Sequence, residues 1–198
     1  MTGAVGTNQP RLDRRAAIRA LLADRGDLLV VTGLGSTTYD AASVGDDERN
    51  FYLWGAMGGA AMLGLGLAIA RPDRPVLVVT GDGDTLMGLG ALATVAVQAP
   101  ANLALAVFDN GHYAETGMQP SHTNTAVSLT GVARSCGIEA VFDISDEAAL
   151  ADFARRMQRC ERTLFARIAI HADEPARVLP PRDGVLLKSR FRRASGVE

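Results

Sequence analysis

The chain has 198 residues, of which 47% are hydrophobic and 21% are charged, and its net charge is −2. This composition is typical of one folded domain and excludes a disordered chain. The small net charge gives no electrostatic reason to expect nucleic-acid or membrane partners, and two cysteines, Cys136 and Cys160, are too few for a disulfide framework.

Two segments are candidates for a targeting or membrane signal, and neither fits the pattern. Residues 1–10 are polar and lack the basic and then apolar pattern of a signal peptide. Residues 58–70 are apolar and rich in glycine, but they are shorter than a membrane span and Arg71 closes them. We therefore expect a soluble, cytoplasmic protein.

Helices and strands are predicted to alternate along the chain. The hydrophobic pattern predicts strands at residues 28–32, 76–79, 103–108, 140–142 and 163–170. It predicts helices at residues 11–25, 36–43, 55–70, 85–97, 128–136 and 146–159, the last with Ser145 as its cap. This alternation predicts an α/β fold, a single domain in which a mostly parallel sheet is flanked by helices on both faces.

The domain is predicted to span residues 27–171. Residues 1–26 contribute an N-terminal helix of the same domain, and residues 172–198 form a C-terminal tail that ends in a short docking helix over 187–193. The helix predicted over 55–70 is expected to be buried. Its four glycines, at positions 58, 59, 64 and 66, would each cost about 1 kcal/mol relative to alanine, so close backbone approach to a neighbour is expected.

Oxygen-bearing side chains follow two neighbouring predicted strands. Gly81, Asp82 and Gly83 end the strand that begins at Val76, and Asn110 ends the next strand. Ligands of open α/β sheets bind at the carboxyl ends of strands. A carboxylate and an amide oxygen suit Mg²⁺, and a glycine before a helix N-terminus suits a phosphate. Either residue alone could instead be a helix cap or a turn residue, but the pair predicts a site for Mg²⁺ and a phosphate.

This stretch resembles the diphosphate-binding motif of thiamine diphosphate enzymes, in which GDG is followed by N after one helix and one strand. Upstream, the segment 55–58 resembles the part of such enzymes that lies against the aminopyrimidine and thiazolium rings of the cofactor. Downstream, the segment 115–120 is similar to the loop after the metal site in sulfopyruvate and phosphonopyruvate decarboxylases. The resemblance covers residues 28–171 and implies the thiamine diphosphate-binding fold, with a PP-type (diphosphate-binding) domain.

The resemblance also implies residue roles. Mg²⁺ would be ligated by the side chains of Asp82 and Asn110 and by the backbone carbonyl of His112. Met57 would hold the cofactor in its bent form. The implied cofactor-binding residues are Gly55, Met57, Gly58, Gly81, Asp82, Gly83, Asp84, Thr85 and Asn110, and the implied catalytic residues are His112, Glu115 and Gln119. The alternative for His112 is a solvated loop histidine.

Three parts of the chain depart from the family pattern, namely position 84, position 118 and the segment 37–40. Asp84 stands where serine or alanine is common, and a carboxylate aimed at a diphosphate would repel it, so Asp84 is expected to turn away or to contact metal or water. Met118 replaces the usual glycine of the loop. Residues 37–40, Thr-Thr-Tyr-Asp, replace the charged groups that related decarboxylases carry after the first strand, so residues that recognise the substrate anion cannot be transferred.

The glutamate that contacts the pyrimidine ring in this family belongs to a separate pyrimidine-binding domain. All residues of this chain are used by the diphosphate-binding half, so the resemblance implies an α-type partner subunit that supplies the glutamate. The implied function is the β subunit of a thiamine diphosphate- and Mg²⁺-dependent decarboxylase acting on a small 2-oxo acid.

Among 2-oxo acids, the resemblance favours sulfopyruvate as the substrate, which would give sulfoacetaldehyde and CO₂. Phosphonopyruvate is the next candidate. The alternatives are an acetolactate-synthase-like carboligase and a non-catalytic subunit that binds the cofactor. A dinucleotide-binding module ranks low, because residues 81–83 lack the third glycine at the required spacing.

Overall fold

The computed structural model describes residues 10–196. Its strands are β1 (Leu29–Thr32), β2 (Asn50–Tyr52), β3 (Val76–Gly81), β4 (Leu103–Asp109), β5 (His112–Tyr113), β6 (Gln119–Pro120), β7 (Ala140–Ile144) and β8 (Leu164–Ala169). Six of them form a parallel sheet in the order β2-β1-β3-β4-β8-β7, while β5 and β6 form a separate antiparallel pair. The prediction of a single α/β domain with a mostly parallel sheet is confirmed.

Helices cover both faces of the sheet. They are α1 (Arg14–Leu22), α2 (Ser36–Ser43), α3 (Ala60–Ala70), α4 (Asp82–Met87), α5 (Ala91–Gln98), α6 (Leu129–Ser135), α7 (Glu147–Arg159) and α8 (Gly184–Ser195). Helices α1, α2 and α7 pack on one face, and α3, α5 and α6 pack on the other. Within residues 10–196, no helix is both long enough and apolar enough to cross a bilayer.

The central strands are apolar along their whole length because both of their faces are covered. In β3, Leu77 and Val79 belong to the core beneath α1, α2 and α7, whereas Val76 and Val78 belong to the core beneath α3, α5 and α6. Successive side chains of a strand point to opposite faces, so a strand buried on both sides needs a continuous apolar run. The two central strands, β3 and β4, can therefore be predicted from the sequence.

The C-terminal helix covers the edge strand β2. Phe191 of α8 packs edge-to-face on Phe51 with ring centroids 5.4 Å apart, and Arg190 forms an ion pair with Asp46 at 2.6 Å. The helix is longer than the predicted segment 187–193.

The domain boundaries at residues 26 and 171 stay predictions, and residues 1–9, on which most of the signal-peptide prediction depends, lie outside the described residues.

Three local predictions are wrong. The helix predicted over 85–97 is two helices, because residues 88–90 separate α4 from α5. The cap of α7 is Asp146 and not Ser145, since the Asp146 side chain accepts a hydrogen bond from the backbone N–H of Ala149 at 2.9 Å. The helix predicted over 55–70 begins at Ala60, and it is buried on one side only: Leu65 and Ala68 are buried, whereas Met62 and Ile69 are 43% and 53% exposed.

Gly64 and Gly66 in α3 have different surroundings. A Cβ added at Gly64 would lie 2.1 Å from Cγ2 of Val78, so this glycine allows α3 to approach β3 closely. A Cβ added at Gly66 would meet nothing within 4 Å. The expected close approach to a strand therefore explains Gly64, and it leaves Gly66 unexplained.

This difference predicts opposite effects of two matched substitutions. Gly64→Ala is expected to destabilise the protein by about 1–2 kcal/mol, because the overpacking against Val78 exceeds the gain in helix propensity. Gly66→Ala is expected to stabilise it by up to about 1 kcal/mol. Urea unfolding of both variants measures the two changes, and equal effects at both positions would contradict the packing argument.

Candidate active site

A cavity of about 180 Å³ lies at the carboxyl edge of the sheet, beside the ends of β3 and β4. The strand order reverses between β1 and β3, and residues that follow both of these strands line the cavity. Ligands of open α/β sheets bind at this kind of point. The predicted site residues that line the cavity are Met57, Gly81, Asp82, Gly83, Asp84, Asn110, His112 and Glu115.

Four other predicted residues do not line this cavity, namely Gly55, Gly58, Thr85 and Gln119. Gly55 is exposed. The Thr85 hydroxyl donates to the carbonyl of Gly81 at 2.8 Å, across the first turn of α4. Gln119 is exposed, and its side-chain amide donates to the carbonyl of Thr116 at 2.9 Å. The structure thus brings His112 and Glu115, but not Gln119, to the cavity.

Asp82 is a buried carboxylate at the N-terminus of α4. Its Oδ2 accepts hydrogen bonds from the hydroxyls of Ser121 and Thr123. Burial raises the pKa of Asp82 to about 6, and the nearby negative charge of Asp109 adds to the effect. Asp82 lines the cavity, and among the described residues no side chain donates a hydrogen bond to its Oδ1.

Asp109 and its partners hold Thr123 in place. The Asp109 carboxylate accepts from the Thr123 hydroxyl at 2.8 Å and from the backbone N–H of Gly111 at 3.0 Å. Its other oxygen accepts from Nε of Arg167 on β8 at 2.7 Å. Thr123 therefore lies between two carboxylates and shares one hydroxyl proton between them, and Arg167 is the cationic partner of Asp109. Sequence reasoning missed Ser121, Thr123 and Arg167, because nothing in their local sequence marks them.

Asn110 and His112 form a tight turn at the end of β4. The backbone N–H of His112 donates to Oδ1 of Asn110, and the His112 Nδ1 lies 2.9 Å from the carbonyl oxygen of Asn110. Residues 10–196 contain no group of three or more His, Cys, Asp or Glu that could hold a metal. A carboxylate, an amide oxygen and a carbonyl are a different donor set, and it is one that Mg²⁺ accepts.

Asp84 is buried and links α4 to the segment that precedes α3. One of its carboxylate oxygens accepts from the backbone N–H of Gly58, and the other accepts from the hydroxyl of Thr80. Both oxygens are thus used within the protein. This bridge accounts for an aspartate at position 84, which the family pattern leaves unexplained.

The bridge also positions Met57, the residue before Gly58. A Cβ added at Gly83 would lie 3.9 Å from Cε of Met57, so the Met57 side chain lies over the start of α4. A Cβ added at Gly88 would lie 2.1 Å from the carbonyl oxygen of Gly58, and Gly58 has a φ of +88°. The turn around Met57 therefore requires glycine at two positions that are 30 residues apart.

The loop after β4 brings Glu115 to the cavity. Residues 112–120 form the β5–β6 hairpin around a 3₁₀ turn, and a second 3₁₀ turn covers His122–Asn124. One carboxylate oxygen of Glu115 accepts from the Ser36 hydroxyl at 3.4 Å, and the other lies 3.9 Å from Arg177. The loop predicted over residues 111–125 is thus an ordered wall of the site.

The family model that matches this chain is "Thiamine pyrophosphate enzyme, C-terminal TPP binding domain", over residues 33–168. The chain belongs to this family of thiamine pyrophosphate (thiamine diphosphate) enzymes, as the sequence motifs predict, and its domain is the cofactor-binding one.

Two curated relatives are named decarboxylases. The chain is 34% identical to sulfopyruvate decarboxylase subunit beta of Methanocaldococcus jannaschii, over 84% of this chain and 87% of the relative. It is 44% identical to phosphonopyruvate decarboxylase of Streptomyces viridochromogenes, over 74% of this chain and 38% of the relative. The chain thus spans well under half of the second relative and most of the first.

A solved structure supports the fold. An X-ray structure described as a thiamin diphosphate-dependent enzyme from Mycobacterium smegmatis matches with a TM-score of 0.71 and 16% identity, over 87% of this chain and 35% of that chain. The residues present also fit the family's cofactor: Asp82 and Asn110 offer oxygens for a hard cation, and Gly83 lies beside them at the start of α4, where the lack of a side chain leaves room for the Tyr113 ring.

Proposed function

We propose that this chain is the β-type subunit of a thiamine diphosphate- and Mg²⁺-dependent decarboxylase that converts sulfopyruvate to sulfoacetaldehyde and CO₂. The observation that carries the proposal is the match to a sulfopyruvate decarboxylase subunit beta along nearly the full length of both chains. A second relative with that name, from Methanothermobacter thermautotrophicus, is 40% identical over 71% of this chain. The oxygen donors at the ends of β3 and β4 support the same proposal.

Residues of this chain would hold the cofactor and its metal. Asp82, Asn110 and the carbonyl of His112 would ligate Mg²⁺, and Gly83 at the start of α4 would admit the diphosphate. Thiamine diphosphate, when bound, supplies a carbon nucleophile and an electron sink for the loss of CO₂ from a 2-oxo acid.

His112 is the first candidate for proton transfer at the cavity, and Glu115 is the second. The His112 Nδ1 lies 2.9 Å from the Asn110 carbonyl, which requires the proton to be on Nδ1 in the neutral ring. Nε2 is then the nitrogen left to accept a proton. Gln119 keeps its proposed role as a substrate contact only if the loop rearranges when the site is filled.

The proposed assembly includes a pyrimidine-binding α subunit that supplies the glutamate facing the cofactor ring. The names of the relatives, which call them subunit beta, support a partner. The surface of α3 and α5 supports it too, because Met62, Ile69 and Val97 are 43%, 53% and 80% exposed. Large exposed apolar side chains are typical of protein interfaces.

Phosphonopyruvate is the second candidate substrate. The 44% identity to phosphonopyruvate decarboxylase exceeds the 34% identity to sulfopyruvate decarboxylase subunit beta, although the match covers less of this chain.

We also propose a cytoplasmic location, which the two free thiols, Cys136 and Cys160, support.

Co-expression with a pyrimidine-domain subunit from the same genome, followed by an assay of CO₂ release, tests the proposal. Sulfopyruvate, phosphonopyruvate, pyruvate and benzoylformate are compared with and without thiamine diphosphate and Mg²⁺. We expect cofactor-dependent CO₂ release that is fastest with sulfopyruvate. A preference for phosphonopyruvate would reassign the substrate. Condensation of two 2-oxo acids would indicate a carboligase, and cofactor binding without turnover of any acid would indicate a non-catalytic subunit.

A further inference from the structure

Arg14 is a buried arginine that lines the candidate cavity. It lies on α1, outside the residues that the family model matches, and only 3% of it is exposed. Its Nε donates to Oδ2 of Asp40 at 2.8 Å, and its Nη1 lies 3.4 Å from the carbonyl oxygen of Asp173. Within residues 10–196, its Nη2 has no hydrogen-bond partner. One edge of the Arg14 guanidinium is therefore fixed by Asp40, and its Nη2 can still donate hydrogen bonds.

The charge of Arg14 is not fully balanced by Asp40. The second oxygen of Asp40 lies 2.8 Å from Nε of Arg15, so one carboxylate serves two guanidinium groups. The group of three carries a net positive charge. Three carboxylates, Asp82, Asp84 and Glu115, line the cavity, and Arg14 is the one arginine or lysine among its described lining residues. A buried guanidinium with free N–H groups favours a second anion.

The start of α2 lies beside Arg14 in the wall of the same cavity. Ser36 and Thr37 line the cavity, and the residue that caps the helix, Gly35, has no side chain to bond the first N–H groups. The backbone N–H groups of Ser36 and Thr37 lie at the positive end of the α2 dipole, where the Glu115 carboxylate accepts a hydrogen bond from the Ser36 hydroxyl. Glu115 thus already interacts with this end of α2, and Arg14 remains as the positive group of the cavity that is available to a further anion.

We propose that Arg14 is the cationic contact of a phosphate- or sulfonate-type oxyanion bound in this cavity. Both proposed ligands carry such a group, the cofactor in its diphosphate and the substrate in its sulfonate, so the inference rests on the proposed function. The paired N–H groups of a guanidinium match the spacing of two oxygens of a phosphate or a sulfonate.

Arg14→Gln and Arg15→Gln are the matched variants that test this proposal in the complex with the partner subunit. Each removes one ion pair with Asp40, but only Arg14 lines the cavity. We expect Arg14→Gln to weaken oxyanion binding by about 10- to 100-fold, as the loss of a charged hydrogen bond implies, and Arg15→Gln to leave it within about twofold.

Two arms identify the source of the oxyanion. In the first, calorimetry measures the Kd of thiamine diphosphate with Mg²⁺, and a loss confined to Arg14→Gln assigns Arg14 to the cofactor. In the second, the KM of sulfopyruvate is compared with that of pyruvate, and a loss confined to sulfopyruvate assigns Arg14 to the substrate. If the wild-type complex turns over neither acid, the proposed function fails, and the Kd values of both acids in the cofactor-loaded complex replace the KM values.

Equal effects of the two substitutions in both arms would overturn the proposal and leave Arg14 as a partner of Asp40 alone. Melting temperatures of all variants report whether they fold. If Arg14→Gln does not fold, Arg14→Lys is compared with Arg15→Lys. A lysine keeps the charge but lacks the planar guanidinium, one edge of which can bond Asp40 while the other bonds an oxyanion, so the Arg14 variant alone is expected to lose affinity.

Discussion

Asp82→Asn is expected to weaken Mg²⁺ binding by at least about 100-fold and to remove Mg²⁺-dependent binding of thiamine diphosphate. The substitution replaces the one carboxylate of the proposed donor set with a neutral amide of the same shape, and hard cations prefer charged oxygens. The hydroxyls of Ser121 and Thr123 can still donate to the amide oxygen, so the local fold is retained. Calorimetric titration of Mg²⁺ and of the cofactor measures both losses.

The same substitution is expected to stabilise the metal-free protein at pH 7. The pKa of Asp82 is about 6 in the folded chain against an ordinary value of 3.8. Between these values the folded state holds the proton more tightly than the unfolded state, so stability falls as the pH rises from about 4 to about 6. Two pKa units correspond to about 3 kcal/mol, and we expect a gain of about 1–3 kcal/mol for Asp82→Asn above pH 6.5.

Urea unfolding without Mg²⁺ at pH 4.5 and pH 7.5 checks the sign of this effect. The gain is expected at the higher pH and should shrink at the lower one. Asp152→Asn is the control, because Asp152 lies exposed on α7 beside Arg156 and its pKa is lowered by that partner. Unchanged Mg²⁺ affinity in Asp82→Asn would show that the metal assignment is wrong.

The strands that carry the site are visible in the sequence for a simple physical reason. Residues 76–79 and 103–108 are apolar without interruption because β3 and β4 are covered on both faces. Polar residues follow these runs at the carboxyl edge of the sheet, which places Asp82 and Asn110 close to the same cavity. The motif and the α/β architecture were predictable together for this reason.

The side chains that hold Asp82 and Asp109 in place could not be predicted from the sequence, because they come from distant parts of the chain. Ser121 bonds Asp82 across 39 positions, and Arg167 bonds Asp109 across 58. Neither partner has a pattern of its own, and only the folded chain brings them together. Arg14 is a similar case, since an arginine in an amphipathic helix is ordinarily exposed, and here it is buried against Asp40.

Helix α3 shows a second limit of prediction from sequence, in which the pattern is strong but fits two different environments. Its residues are apolar on every side, and this pattern does not separate a helix inside a core from one at a subunit interface. Sequence reasoning placed the helix in the core, whereas Met62, Leu63 and Ile69 are exposed in this chain. The pattern becomes consistent with the fold once a partner is proposed to cover that face.

Asp84→Ala is expected to destabilise the protein by about 2–4 kcal/mol and to weaken binding of thiamine diphosphate by at least about tenfold. The change leaves the backbone N–H of Gly58 and the hydroxyl of Thr80 without their acceptor, and buried donors that lose a charged partner are costly. Release of Gly58 also loosens Met57, which lies over Gly83 in the cavity wall. Urea unfolding and calorimetric titration of the cofactor measure the two effects separately.

Two further variants distinguish positioning of Met57 from a general loss of stability. Asp84→Asn can keep both contacts, since its amide oxygen can accept from Gly58 while its nitrogen donates to the Thr80 hydroxyl, so it should lose about 1 kcal/mol and little affinity. Thr80→Val removes one contact and leaves the bond to Gly58 intact, so it should lose stability without losing cofactor affinity. If Thr80→Val weakens cofactor binding as much as Asp84→Ala does, the effect of Asp84 is one of stability, and the Gly58 bond does not position Met57.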